Sequence, residues 1–119
     1  MSAVLENNLG SITYSDDYIA SIAGMATTEC YGVVGMASTK MTDGIVELLG
    51  RENLKRGVKV FTDQTHQLRI DLYIVVQYGL AISASSNSII ETIRYQVERA
   101  TGLTVREVNV IVSGIRVNA

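Results

Sequence analysis

His66 and Cys30 are the only histidine and the only cysteine in the chain, and they are the first residues to test for chemistry. A nucleophilic thiol needs a base beside it to raise its thiolate fraction, and His66 is the only imidazole able to serve. His66 falls in Asp63-Gln64-Thr65-His66, which reads as a solvated polar turn. Cys30 falls near the end of a helix of small residues, where a small buried hydrophobe is the plain reading. One histidine and one cysteine cannot supply the usual nitrogen and sulfur ligands of zinc, and a lone cysteine forms no intramolecular disulfide.

The carboxylates offer no acid–base pair either. Asp16 and Asp17 are adjacent, but they follow Ser15 at a helix start, where acids meet the positive end of the helix dipole. Asp71 and Glu107 fall on or beside strands as ordinary surface charges. Ten glycines include no Walker A or G-x-G-x-x-G pattern. Gly32-Val33-Val34-Gly35 is formally the G-x-x-G of a KH nucleic-acid-binding module, yet its middle residues are valines, no basic residue flanks it, and it leads into a strand. Arg51, Lys55, Arg56 and Lys59 form the one basic cluster, with Glu52 inside it. A solvated connector is the simpler reading, and an anion or phosphate contact the sharper one. Ile45, Val46, Leu48 and Leu49 read as core cover, with a partner-docking helix as the alternative. No catalytic constellation results, so the chain reads as non-enzymatic, with no cofactor and no metal.

The elements that would position these residues follow from apolar periodicity. Leu9–Thr13 alternates as a short first strand, leaving residues 1–8 as an N-terminal tail. Ile19, Ile22, Ala23 and Ala26 mark one face of a first helix, ended by Gly32. Val33–Ala37 is a short buried strand. Residues 38–57 are expected to be an irregular, mobile connector, with a short helix starting at Thr42-Asp43-Gly44. Val58–Thr62 and Leu68–Gln77 alternate on either side of the polar turn as an antiparallel hairpin. Ser88 and Glu91 form a capping box, so a second helix is expected from Ser88 to Gly102, with Arg94 and Glu98 as an outer i,i+4 pair. A last strand runs from about Val108 to Val117.

The order β-α-β-(short α)-β-β-α-β predicts a single α+β domain over residues 1–119. Its two layers are a mixed or antiparallel sheet and two main helices on one sheet face. The other sheet face then carries Lys59, Phe61, Arg69, Asp71, Tyr73, Val75, Asn109, Ile111 and Ser113. That face is more apolar and aromatic than a solvated one requires. Phe61, Tyr73, Val75 and Ile111, with Leu48 nearby, are therefore the candidate protein interface.

Composition agrees with a folded, non-basic domain. Hydrophobic residues make up 47% of the 119, charged residues 18%, and the net charge is −2. That balance disfavours nonspecific nucleic-acid or anionic-membrane binding. The longest aliphatic and aromatic run, Leu72–Val76, is too short to span a membrane. No secretory signal is apparent at the N-terminus. A cytoplasmic location is expected, with peripheral membrane association left to a partner.

Five segments, in order, carry a resemblance. They are Gly10–Ile19, Cys30–Met36, Leu49–Asn53 followed by Lys55-Arg56-Gly57-Val58-Lys59-Val60, Asp71–Gly79, and Ala100–Leu103 followed by Val108–Ile115. Together they resemble the alkaline shock protein family, the envelope stress response proteins of Gram-positive bacteria, over about residues 9–117. The short chain is similar to the compact, housekeeping-like branch. The resemblance implies a non-enzymatic cytoplasmic protein without catalytic residues. It also implies self-assembly as a homo-oligomer, or docking to an integral-membrane anchor protein. A nucleic-acid-binding module and an accessory subunit of a separate enzyme, docking through residues 45–57, are the alternatives.

Overall fold

Leu68, Ile70, Leu72, Ile74 and Val76 alternate along one strand, so one of its faces is too apolar to remain in water. A computed structural model, which describes residues 2–39, 48–79 and 82–117, puts that strand at the centre of the main sheet. All five side chains are fully buried, each worth about 2 kcal/mol relative to exposure. The elements in chain order are β1 (Ser2–Asn7), β2 (Gly10–Ser15), α1 (Asp16–Thr28), β3 (Val33–Met36), a 3-10 segment (Arg51–Gly57), β4 (Val58–Thr62), β5 (Leu68–Gln77), α2 (Ile82–Thr101) and β6 (Val105–Arg116).

The main sheet is mixed. β4 pairs antiparallel with the first half of β5, Val58 opposite Leu72 and Thr62 opposite Leu68. β3 pairs antiparallel with its second half, Met36 opposite Ile74 and Val33 opposite Val76. The two short strands therefore lie end to end along one edge of β5. β6 runs parallel to β5 along the other edge, from Val105 opposite Leu68 to Arg116 opposite Gln77. A parallel pair needs a crossover, and α2 supplies it. Ile19 and Ala23 of α1 and Ile89, Ile93 and Val97 of α2 join the β5 side chains in one core. The architecture is the expected α+β one, with both helices on one sheet face.

Several local expectations change. Residues 2–7, expected to be a tail, form β1, and the expected strand over 9–13 is β2 of a separate hairpin. Ala3 and Leu5 stand opposite Tyr14 and Ile12, so the hairpin has its own apolar face. Its turn is set by Asn7, whose Oδ1 accepts from the Leu9 and Gly10 amides at 2.8 and 3.1 Å. α1 starts as expected, with Ser15 Oγ accepting from the Tyr18 amide at 3.2 Å. It ends at Thr28, before Gly32.

α2 starts at Ile82, six residues before the Ser88 capping box. The stretch from Ile82 to Asn87 contains no Gly or Pro, so nothing stops propagation toward the N-terminus once the helix is nucleated. Arg94 and Glu98 do more than pair on the outside. They stand 3.9 Å apart. Arg94 Nε donates to the Val105 carbonyl at 3.0 Å, and Glu98 Oε2 accepts from the Val105 amide at 2.8 Å, clamping the first residue of β6.

Residues 42–47 of the short helix expected at 42–49 lie outside the described ones; of the rest, Leu48 forms a bridge with Ala37 and Leu49 is buried. Residues 51–57 are not a bare polar connector. Leu54 is buried against α1, where a Cβ added at Gly24 would lie 3.1 Å from Leu54 Cβ.

The β4–β5 turn is held by one carboxylate. Asp63 Oδ1 accepts from the Gln67 amide (3.0 Å), the Thr65 amide (2.9 Å) and the Thr65 hydroxyl (2.8 Å), and Oδ2 lies 3.4 Å from Arg106 Nη1 of β6. Hydrogen bonds to the charged form, from Gln67 and then Thr65, hold its pKa below the usual carboxylate value, and Arg106 adds to this. A depressed folded pKa contributes stability above the unfolded value, and that contribution is lost as pH falls through the folded one. Asp63→Asn is therefore expected to lower the urea midpoint at pH 7. The gap should close at acid pH, below about 4. An equal gap at both pH values would refute the charge as its source.

Candidate protein-interaction surface

β5 alternation sends Arg69, Asp71, Tyr73 and Val75 to the face opposite the helices, and its partners align with them across the sheet. Arg69 stands between Phe61 and Glu107, Asp71 between Lys59 and Asn109, Tyr73 beside Ile111, and Val75 between Gly35 and Gly114. The sequence-derived face is thus assembled, with one correction. Ser113 sits at the register shift where Gly114, not Ser113, stands opposite Val75. An extra residue at a bulge leaves the regular alternation.

The polar groups of this face are cross-linked. Asp71, only 8% exposed, accepts from Arg69 Nη2 at 3.1 Å and from Asn109 Nδ2 at 2.8 Å. Asn109 Nδ2 also reaches Glu107 Oε2 at 2.9 Å. The hydrogen bond to Asp71 pushes the Arg69 pKa further up, fixing the guanidinium as a cation. The same guanidinium lies 4.1 Å from the Phe61 ring centroid, and Lys59 Nζ lies 5.5 Å from that of Tyr73. Each aromatic ring is braced by a cation. Phe61 is 42% exposed, while Tyr73 and Ile111 are half-buried.

Val75 is only 5% exposed, so it supports the face without presenting a contact. A Cβ at Gly35, directly across from it, would meet Leu48 Cδ1 at 2.9 Å. Leu48 therefore lies over Gly35 at the β3 corner of this face. Leu48 also lines a groove of about 310 Å³ with Met25, Val34, Arg51 and Leu54, between α1, β3 and the 3-10 segment.

The four residues of the basic cluster have different neighbours. Lys55 pairs with Asp17 of α1 at 3.3 Å, Lys59 turns to the open face, Arg51 lines the groove, and Arg56 borders a hollow with Ser38 and Thr39. Gly32-Val33-Val34-Gly35 enters β3, so it does not form the exposed loop that a KH module requires.

Cys30 and His66 lie at opposite ends of the sheet, Cys30 before the strand that meets Val76 and His66 before Leu68. Burial pushes the Cys30 thiol pKa up, and the Glu29 carboxylate adds to this. His66 is not merely solvated, because its Nδ1 accepts from the Val4 amide at 3.2 Å and ties β1 to the turn. Among the described residues no group of three or more His, Cys, Asp or Glu could hold a metal ion, and no helix is long and apolar enough to cross a membrane.

Periodicity could find the face but not the Arg69–Asp71–Asn109–Glu107 network. Its only sequence signal is charge at alternate positions of two strands whose adjacency a single sequence does not reveal.

Comparisons with known proteins place the chain in a family. Residues 4–117 match the model of the alkaline shock protein family, described by a cell envelope-related function. The chain is 42% identical over 118 residues to the uncharacterized protein YloU of Bacillus subtilis, covering 98% of each chain. It is 39% identical to the uncharacterized protein Spy1614 of Streptococcus pyogenes, covering 98% of this chain and 97% of that one. A stress response regulator gls24 homolog of Streptococcus pyogenes is 32% identical over 107 residues, 90% of this chain and 59% of its own length. No solved structure matches. With a family model covering nearly its whole length and full-length relatives on both sides, the chain belongs to the alkaline shock protein family, a family of cell envelope-related function with stress response members.

Proposed function

We propose that the chain is a non-enzymatic interaction protein of the envelope stress response. It acts in the cytoplasm through the open sheet face, which meets either a second copy or a membrane-anchored partner. One observation carries this reading: the face presents Phe61, Tyr73 and Ile111 on a scaffold fixed by the Arg69–Asp71–Asn109 bonds. A surface held rigid before contact loses little entropy on binding. An apolar patch rimmed by charges is the usual form of a contact site. With Lys55 paired to Asp17, Lys59 over the Tyr73 ring and a net charge of −2, the nucleic-acid alternative has no comparable support.

Tyr73→Asp tests the proposal. It puts a carboxylate in the apolar centre while Lys59 remains beside it, so the monomer should fold. Light scattering is expected to show a lower mass than wild type at equal concentration. Cell fractionation should show less of the variant with the membranes. A variant unchanged in both would overturn the proposal.

A further inference from the structure

β6 is 12 residues long and lies at the outer edge of the main sheet. Among the described residues it pairs only with β5, so a row of its backbone N–H and C=O groups faces outward. α2 satisfies the first of these. The Leu68 amide donates to the Thr104 carbonyl at 2.9 Å, which turns the backbone of the next residue, Val105, away from β5. Glu98 then accepts from the Val105 amide and Arg94 donates to its carbonyl, as a neighbouring strand would.

Beyond Val105 the edge is little protected. Strand edges are usually blunted by charge, proline or short length, and residues 108–115 contain no proline and no charged residue. The side chains there are poorly covered. Val112 and Ile115 stand opposite the buried Ile74 and Val76, yet they are 38% and 59% exposed. The helix layer thus covers β5 and leaves the far half of β6 bare. On the other face Ile111 is half-buried. A strand laid along this edge meets apolar side chains on both faces. Glu107 at one end and Arg116 at the other are exposed and opposite in charge, while Arg106 is turned to Asp63.

Two copies of β6 fit each other poorly. Parallel pairing in register sets Glu107 beside Glu107 and Arg116 beside Arg116. Antiparallel pairing that sets Glu107 against Arg116 puts Ser113, the extra residue at the register shift, opposite Val110. A bulge bends and twists its strand, so two folded edges with offset bulges diverge over this length. A segment that is disordered before binding can follow the bend.

We propose that the free edge of β6, from Glu107 to Arg116, binds an extended segment of another protein by strand addition. The segment is disordered before binding and runs antiparallel to β6, the more stable pairing. It carries an acidic residue facing Arg116, a basic residue facing Glu107 and uncharged β-branched residues between them. Backbone hydrogen bonds supply the affinity, and Ile111, Val112 and Ile115 select the side chains. The contact lies at the sheet edge, so its test does not depend on association through the open face.

The probe is a fluorescein-labelled peptide of about ten residues, matched to Glu107–Arg116: a glutamate, alternating valines and threonines, and a final lysine. It is N-methylated at each threonine, which leaves one bonding edge and prevents stacking on itself. Anisotropy with the full chain is expected to show saturable binding. A chain carrying Val112→Lys with Ile115→Lys should bind at least about tenfold more weakly, as expected from losing apolar contact on the helix side. Both positions are exposed, so its Tm should match wild type. A peptide methylated at the valines as well should not bind. Hydrogen exchange read by mass spectrometry should show new protection in residues 107–116 on adding the probe. No binding at millimolar probe, equal binding by the fully methylated peptide, or unchanged exchange in β6 would each overturn strand addition. Protection of residues 107–116 that is present in the chain alone and lost on dilution would overturn it too, because a second copy would then hold the edge.

Discussion

Gly57→Ala is expected to destabilise the fold by about 2 kcal/mol, the cost of a mild overpacking less the entropy gained by removing a glycine from the unfolded chain. A Cβ at Gly57 would lie 2.7 Å from the Ala37 carbonyl oxygen and 2.9 Å from Met36 Cβ. Neither neighbour can retreat easily. The Ala37 amide is bonded to the Tyr73 carbonyl at 2.9 Å, and Met36 is paired opposite Ile74. Gly57 itself leads straight into Val58, which is paired opposite Leu72. β3 and β4 are thus both pinned to the same edge of β5, and Gly57 occupies the gap between their ends. In a domain of this size the loss amounts to roughly 5–10 °C in Tm. Gly50→Ala is the control, because a Cβ there meets nothing within 4 Å and should leave Tm unchanged or slightly raised. Equal melting of the two variants would show that the junction between β3 and β4 yields easily.

The same junction shows what a single sequence carries and what it does not. The alternation of Leu68–Val76 and the helical spacing of Ile19 to Ala26 are local patterns, each imposed by burial on one face, and both helices, the β4–β5 hairpin and the composition of the open face followed from them. Which strands lie side by side is a different matter. The end-to-end placement of β3 and β4, and the parallel β5–β6 pair, depend on contacts between residues far apart in the chain, so Gly57 gave no sign of its role. The N-terminal hairpin was missed for a related reason. Ala3 and Leu5 are too few to read as a strand until Tyr14 and Ile12 stand opposite them. Arg94 and Glu98 were legible as a pair, but their shared target, the backbone of Val105, lies beyond the helix and outside its periodicity.

Asp71→Ala is the second large effect, expected at about 2 kcal/mol. Asp71 sits at the middle of the open face and accepts from Arg69 on its own strand and from Asn109 on β6, so it joins the two longest strands through side chains as well as backbone. Removing the carboxylate leaves the Arg69 guanidinium without its acceptor, and Asn109 keeps only Glu107. The cost comes from polar groups left half-satisfied at a poorly exposed site, and it exceeds the net worth of the bonds themselves. Asp71→Asn, which keeps one acceptor oxygen and the side-chain shape, should lose less than half as much. The two variants also separate stability from contact. If the network serves mainly to hold Phe61 and Tyr73 in place, Asp71→Asn should remain folded at 25 °C yet associate more weakly than wild type, because Arg69 loses the hydrogen-bonded carboxylate that fixes it over the Phe61 ring and keeps only the more distant pull of Glu107. Urea denaturation and light scattering on the same samples read both quantities. A variant that loses stability and keeps full association would make Asp71 a structural strut alone and move the contact surface away from the rings it braces.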